Sequence, residues 1–111
     1  MKARVCFLSL LMGAMSLLLA SCQMDNSRTA PQITALLPAA RGSASTVTLD
    51  AGRQVFVTRC VECHLLQPIA KHSETGWHEI IAIMAPRAKL TPTERIALEA
   101  YLSAAKRSLK E

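Results

Sequence analysis

Hydrophobic residues are distributed unevenly along the 111-residue chain, and the pattern divides it into three parts. A predominantly apolar run covers residues 5–20, and a stretch rich in Ser, Thr, Ala and Pro follows from Gln23 to about Val47. Beyond it, apolar residues recur at helical spacing as far as Leu109. No part of the chain alternates with period two for long enough to predict a strand. We therefore predict an all-α domain over residues 48–111.

Three main helices are expected in this domain. The first is predicted from about Leu49 to Arg59, and the second from about Thr75 to Met84. One face of the second helix collects the residues at positions i, i+3, i+4 and i+7, which are Trp77, Ile80, Ile81 and Met84. The third helix has the clearest start, because Thr91, Pro92 and Glu94 supply an N-cap, a first-turn proline and the glutamate of a capping box.

Gly52 lies inside the first predicted helix, one turn before Phe56. A glycine inside a helix costs about 1 kcal/mol relative to alanine. We therefore expect another element to pack closely against the backbone at Gly52.

The N-terminus has the order of a secretory signal peptide: basic residues at Lys2 and Arg4, an apolar run, then small residues. The sequence Leu19-Ala20-Ser21-Cys22 resembles the lipobox of bacterial lipoproteins. That resemblance implies cleavage after residue 21 and lipidation of Cys22. The alternatives are an uncleaved anchor helix and an ordinary signal peptide with a chance cysteine.

Residues 22–47 are then expected to form a flexible, lipidated tether. Pro31, Pro38 and Gly42 interrupt any regular period there. Leu36 and Leu37 are the exception and are candidates for docking on the domain. Gln23 follows the cysteine in place of the aspartate of an inner-membrane retention signal, which favours the outer membrane. The predicted location is the bacterial periplasm, on a lipid anchor.

The net charge of the chain bears on whether nucleic acid is a partner. Removal of Lys2 and Arg4 with the signal leaves 11 basic against 8 acidic residues, a net charge of +3. The basic residues are not clustered as in a nucleic-acid-binding surface, so no nucleic-acid partner is expected.

The chemistry of the domain is concentrated in Cys60-Val61-Glu62-Cys63-His64. This is the C-x-x-C-H pattern of covalent haem attachment, in which two thiols form thioethers and the histidine binds the iron. A domain of about 60 residues has a small core, and a haem would supply much of what is missing.

Three other uses of these cysteines remain open. One is a redox-active dithiol, and another is a structural disulfide. The third is a zinc site built from Cys60 and Cys63 with two of the three histidines, which are His64, His72 and His78. The spacing from Cys63 to His72 does not match that of a zinc finger.

Met84 is the candidate for the second iron ligand, because it is the only methionine in the predicted domain. Pro86 follows it and is expected to end the helix and orient the thioether. The alternatives are that Met84 is a core residue, or that His72 or His78 binds the iron.

The domain resembles the class I cytochrome c family over about residues 48–109. The resemblance is carried by Gly52 and Phe56, the CVECH motif, Met84 with Pro86, and Tyr101-Leu102 in the last helix. It implies a small cytochrome c-like fold around one covalent haem c, with the first and last helices crossing at Gly52. Trp77 and Ile81 are then expected to pack against the haem.

The resemblance implies single-electron transfer without catalysis, with both His64 and Met84 bound to the iron. The partner would be a redox protein such as a periplasmic dehydrogenase or oxidase, met by a basic rim of Lys71, Arg87 and Lys89. Two alternatives remain: a five-coordinate haem with a peroxidase-like or gas-sensing role, and an interaction lipoprotein containing zinc or a dithiol.

Overall fold

Four α-helices and two short 3₁₀ turns account for most of residues 29–110, the part of the chain that the computed structural model describes. The helices are α1 (Ile33–Ala40), α2 (Thr46–Thr58), α3 (Glu74–Arg87) and α4 (Pro92–Ser108), and the 3₁₀ turns are Cys60–Glu62 and Ile69–Lys71. No strand occurs within these residues, which confirms the all-α prediction. Helices α2, α3 and α4 correspond to the three main helices predicted for the domain, whereas α1 lies in the segment predicted as a tether.

The N-terminal ends of three helices are set by local capping. Ser45 and Ser73 cap α2 and α3 by accepting hydrogen bonds from backbone N–H groups three residues on. At α4 the full capping box is present, because Glu94 N–H donates to Thr91 Oγ1 and Thr91 N–H donates to a Glu94 carboxylate oxygen at 2.7 Å. These bonds to Thr91, with a further contribution from Arg59, hold the pKa of Glu94 below its ordinary value.

The end of α3 differs from the prediction. Pro86 does not stop the helix, which continues to Arg87. The proline removes one helical hydrogen bond, and its fixed φ is compatible with the one helical residue that follows it. The helix ends in a Schellman turn, in which Leu90 N–H donates to Ala85 O, and Lys89 adopts a left-handed conformation with φ of 53°.

The α2 and α4 helices share the most extensive interface of the fold, and Gly52 lies at their crossing. A Cβ atom added to Gly52 would lie 2.0 Å from Ala97 O and 2.7 Å from Tyr101 Cβ. Real Cβ atoms do not approach other atoms so closely, so only glycine allows this crossing. The close packing expected at Gly52 is confirmed.

An aromatic cluster fills the core beside this crossing. The Phe56 ring lies edge-on to Trp77 at 5.9 Å and tilted to Tyr101 at 6.0 Å between ring centroids. Trp77 Nε1–H donates to Ile69 O at 2.9 Å, so its one polar group is satisfied inside the core. The cluster thus joins α2, α3, α4 and the Ile69–Lys71 turn.

The segment before α2 requires a second correction. Residues 22–47 were expected to form a flexible tether, but the described part contains α1, which packs on α4 and α2. Leu36 is fully buried in the core, whereas Leu37 is exposed. Apolar burial stabilises α1 even though Pro38 lies inside it.

Two side chains hold the chain in place ahead of α1. Tyr101 O–H donates to Pro31 O at 2.9 Å, and Arg53 Nε–H donates to the same carbonyl at 3.2 Å. Burial raises the pKa of Tyr101 to about 12, against the opposing effect of Arg53. The folded protein therefore keeps this phenol protonated at a pH at which the unfolded chain ionises it.

This difference predicts a loss of stability in alkali. Between about pH 10 and 12 unfolding releases the Tyr101 proton, so the free energy of unfolding falls as pH rises through this window. Tyr101→Phe is expected to be about 1 kcal/mol less stable at neutral pH, through its lost hydrogen bond, and to depend less on pH in the window. Urea unfolding at several pH values measures both effects. Equal pH slopes for the two proteins would contradict the prediction.

No helix within residues 29–110 is long and apolar enough to cross a membrane. The predicted signal peptide (residues 1–21) and the predicted lipidation site Cys22 lie outside the described residues, and so does most of the tether ahead of α1.

Candidate functional site

A pocket of about 600 Å³ opens between the loop after α2, helix α3 and the middle of α4. This volume is typical of sites that hold a small molecule or cofactor. Its lining includes all six residues that the sequence predicted for a haem site: Cys60, Cys63, His64, Trp77, Ile81 and Met84. The fold thus assembles in one place groups that lie on two separate elements.

The two cysteines reach the pocket from the 3₁₀ turn that follows α2. Both thiols are free, and Cys60 is half-buried whereas Cys63 is exposed. Burial raises the pKa of the Cys60 thiol. A redox-active dithiol depends on a lowered thiol pKa, so the surroundings of Cys60 do not favour that alternative.

His64 is oriented by a hydrogen bond to its neighbour. Its Nδ1 lies 2.8 Å from Leu65 O, and because a carbonyl can only accept, Nδ1 carries the proton of the neutral ring. Nε2 is then left with its lone pair available to a metal. A hydrogen bond at the other ring nitrogen is the usual way in which proteins orient a ligating histidine.

Helix α3 forms the facing wall of the pocket. All four residues of its predicted face line the pocket: Trp77, Ile80, Ile81 and Met84. Trp77 and Ile81 are buried, whereas Met84 is 37% exposed. Met84 therefore lies at the edge of the pocket and is not a core residue.

The rival histidines are placed differently. The His72 ring also lines the pocket and lies edge-on to Trp77, with ring centroids 5.1 Å apart. His78 is exposed, is absent from the pocket lining, and has Nδ1 3.8 Å from Glu99 Oε1. Of the two, only His72 is placed to compete with Met84.

The zinc alternative needs both cysteines and two histidines close together. Within residues 29–110, no group of three or more His, Cys, Asp or Glu side chains is arranged to hold a metal ion.

Basic and polar side chains also contribute to the lining, at Arg59, Gln67, Lys71 and Arg87. Lys71 Nζ donates to Gln67 Oε1 at 2.7 Å. Of the basic rim expected from the sequence, Lys71 and Arg87 do line the pocket, whereas Lys89 is exposed and does not.

Arg59 is the residue that sequence reasoning missed. Its guanidinium donates a hydrogen bond to Ala88 O, and it lies 3.4 Å from Glu62 Oε1 and 3.8 Å from Glu94 Oε1. Its Nε is buried without a hydrogen-bond acceptor, since the contact to Glu62 does not have hydrogen-bond geometry. The only available signal was its position directly before Cys60.

Comparisons with protein-family models, with curated proteins and with solved structures found no match. The resemblance to class I cytochromes c therefore depends on the residues quoted above.

Proposed function

We propose that this protein is a c-type cytochrome that carries single electrons between redox partners. One observation carries the proposal: Cys60, Cys63 and His64 of CVECH line the same apolar pocket as Met84, twenty residues after His64 in the chain. Residues 30–110 would then form a haem domain in which α1 is an integral part.

The residues present fit a haem c. Cys60 and Cys63 supply thiols for the two thioethers, and His64 supplies a ring nitrogen free to bind iron. The haem carboxylates would find cations on the pocket wall, including Arg59, whose buried Nε has no hydrogen-bond acceptor. When bound, the haem supplies an iron that changes oxidation state by one electron.

The side chains around the pocket have distinct tasks in this proposal. His64 and Met84 would both bind the haem iron and so keep other molecules off it, which favours electron transfer over catalysis. The neutral thioether of Met84 raises the reduction potential relative to two histidines. Phe56, Trp77 and Ile81 are buried residues of the pocket wall and would exclude water from the haem.

The proposed location is the bacterial periplasm, with the domain held at the membrane, the outer membrane being favoured, by lipid on Cys22. Lys71 and Arg87 give the pocket a positive rim. Such a rim would favour an acidic surface on a redox partner, for example a periplasmic dehydrogenase or oxidase, by steering encounter.

The test is an absorption spectrum of the protein produced with cytochrome c maturation machinery, recorded oxidised and then reduced. We expect haem that stays attached under denaturing conditions, sharp reduced bands, and the weak far-red band of methionine-bound ferric haem. A Cys60→Ser, Cys63→Ser double variant serves as control and should lose the covalent haem.

Two other results would redirect the assignment. Covalent haem with a high-spin spectrum would indicate an open iron and a peroxidase-like or gas-sensing role. No covalent haem in the unmodified protein would refute the cytochrome proposal and leave zinc or a dithiol to explain the cysteines.

A further inference from the structure

Helix α3 is held at its two ends by different interactions. At its N-terminal end, Trp77 Nε1–H bonds to Ile69 O, and Glu74 lies 3.2 Å from Arg107 Nη1. Among the helices and 3₁₀ turns described, α3 packs its backbone closely only against α4. The C-terminal end, which carries Met84, therefore needs another tie to the loop that carries His64.

Arg59 connects the cysteine loop to the C-terminal end of α3. Within the described residues, its bond to Ala88 O is the only side-chain hydrogen bond between residues 59–66 and residues 80–90. Arg59 is the C-cap of α2 and immediately precedes Cys60. Ala88 is the C-cap of α3, and its own N–H donates to Met84 O at 2.8 Å. A chain of two hydrogen bonds thus connects the cysteine loop to the backbone of Met84.

The acceptor is itself held in a defined orientation. Ala88 precedes Lys89, whose left-handed conformation closes the Schellman turn through Leu90 N–H and Ala85 O, 2.9 Å apart. Glu62 and Glu94 lie on other sides of the guanidinium, at 3.4 and 3.8 Å. A guanidinium presents five donors in a rigid plane, so it can engage three segments at once, whereas a lysine ammonium is a single point charge.

We propose that Arg59 is a positioning residue that sets the separation between the His64 side and the Met84 side of the pocket. This inference rests on the proposed haem ligation by these two residues. Without the hydrogen bond from Arg59 to Ala88 O, the C-terminal end of α3 would move more freely relative to the cysteine loop. Met84 would then leave the iron more often. The consequence is a weaker methionine ligand in a haem that remains covalently attached.

Arg59→Leu tests the proposal, and Arg53→Leu is the matched control. Arg53 also ties α2 to backbone carbonyls, those of Ala30 and Pro31, but it does not line the pocket. Arg59→Lys is a second variant, which keeps the charge beside Glu62 and Glu94 without the planar donors. All are prepared as the full chain with covalent haem, and both the far-red ferric band and carbon monoxide binding to the reduced protein are measured.

We expect carbon monoxide to bind Arg59→Leu at least about tenfold faster than the unmodified protein, because a hydrogen bond from a charged donor contributes that much to an equilibrium. The far-red band should weaken in parallel, Arg59→Lys should lie between, and Arg53→Leu should match the unmodified protein. If Arg59→Leu does not fold, a faster rate in Arg59→Lys than in Arg53→Leu supports the proposal.

Two results would overturn it: an unchanged band and carbon monoxide rate in both Arg59 variants, or an equal change in Arg53→Leu, which would indicate general destabilisation. Failure of the proposed function is recognised separately, in the unmodified protein. If that protein lacks the far-red band, Met84 does not bind the iron, and the proposed role of Arg59 is refuted as well.

Discussion

Gly52→Ala is expected to destabilise the domain by about 3 kcal/mol or more. The new Cβ would lie 2.0 Å from Ala97 O and 2.6 Å from Ala97 C. Both are backbone atoms of α4, so no side chain can rotate to make room. The two helices would have to separate along their interface, and overpacking of this kind usually costs 1–3 kcal/mol even where side chains can adjust.

A loss of this size is a large part of the few kcal/mol available to a small domain. The melting temperature should fall by on the order of 15 °C, measured by circular dichroism on the full chain. Gly76→Ala is the matched control, because Gly76 is also helical but its nearest neighbour is the Ser73 hydroxyl at 3.2 Å, on a small side chain at the helix start. That variant should change stability by about 1 kcal/mol at most. If the two variants melt at the same temperature, the crossing at Gly52 is not as close as described.

Met84→Ala is expected to have the largest effect on the proposed chemistry. Removing the thioether should open the iron, so that carbon monoxide binds the reduced protein without displacing a ligand. The reduction potential should fall by on the order of 0.1 V, a fraction of the about 0.8 V over which axial ligands tune haem. Covalent attachment should persist, because Cys60 and Cys63 are unchanged.

Ile83→Ala is the control for this experiment. Ile83 is adjacent on α3 and 55% exposed, and it is not part of the pocket lining. Its replacement should leave the potential and the carbon monoxide rate unchanged. An unchanged potential in Met84→Ala would remove this residue from the ligands and direct attention to His72, the only other predicted candidate that lines the pocket.

Local signals explain what was predictable about the helices. The start of α4 is encoded within four residues, Thr91 to Glu94, and the capping box forms as expected. The face of α3 follows from spacing alone, and all its members line the pocket. The start of α2 was predicted a few residues too late, although Ser45 and Thr48 carry a capping signal that could have located it.

The two features that were predicted wrongly, the tether and the end of α3, have different causes. Helix α1 has eight residues, includes a proline, and is stabilised by burial of Leu36 and by Arg107, which donates to Ala39 O from 68 positions along the chain. Helix α3 continues past Pro86 and ends in a Schellman turn at Lys89. A lysine in the sequence does not indicate a left-handed conformation. The interactions that stabilise α1 thus come from far along the chain, whereas the turn after Pro86 is local but depends on a residue type that does not indicate it.

The sequence by itself determined the helical class, the start of α4, and the candidate chemistry of Cys60, Cys63, His64 and Met84. These follow from interactions between residues a few positions apart, or from the residue types that a reaction requires. Only the tertiary structure decided that these side chains share one pocket, that α1 belongs to the domain, and that Arg59 joins both walls. Those facts depend on contacts between residues 20 to 70 positions apart, whose geometry is set by the packing of whole helices.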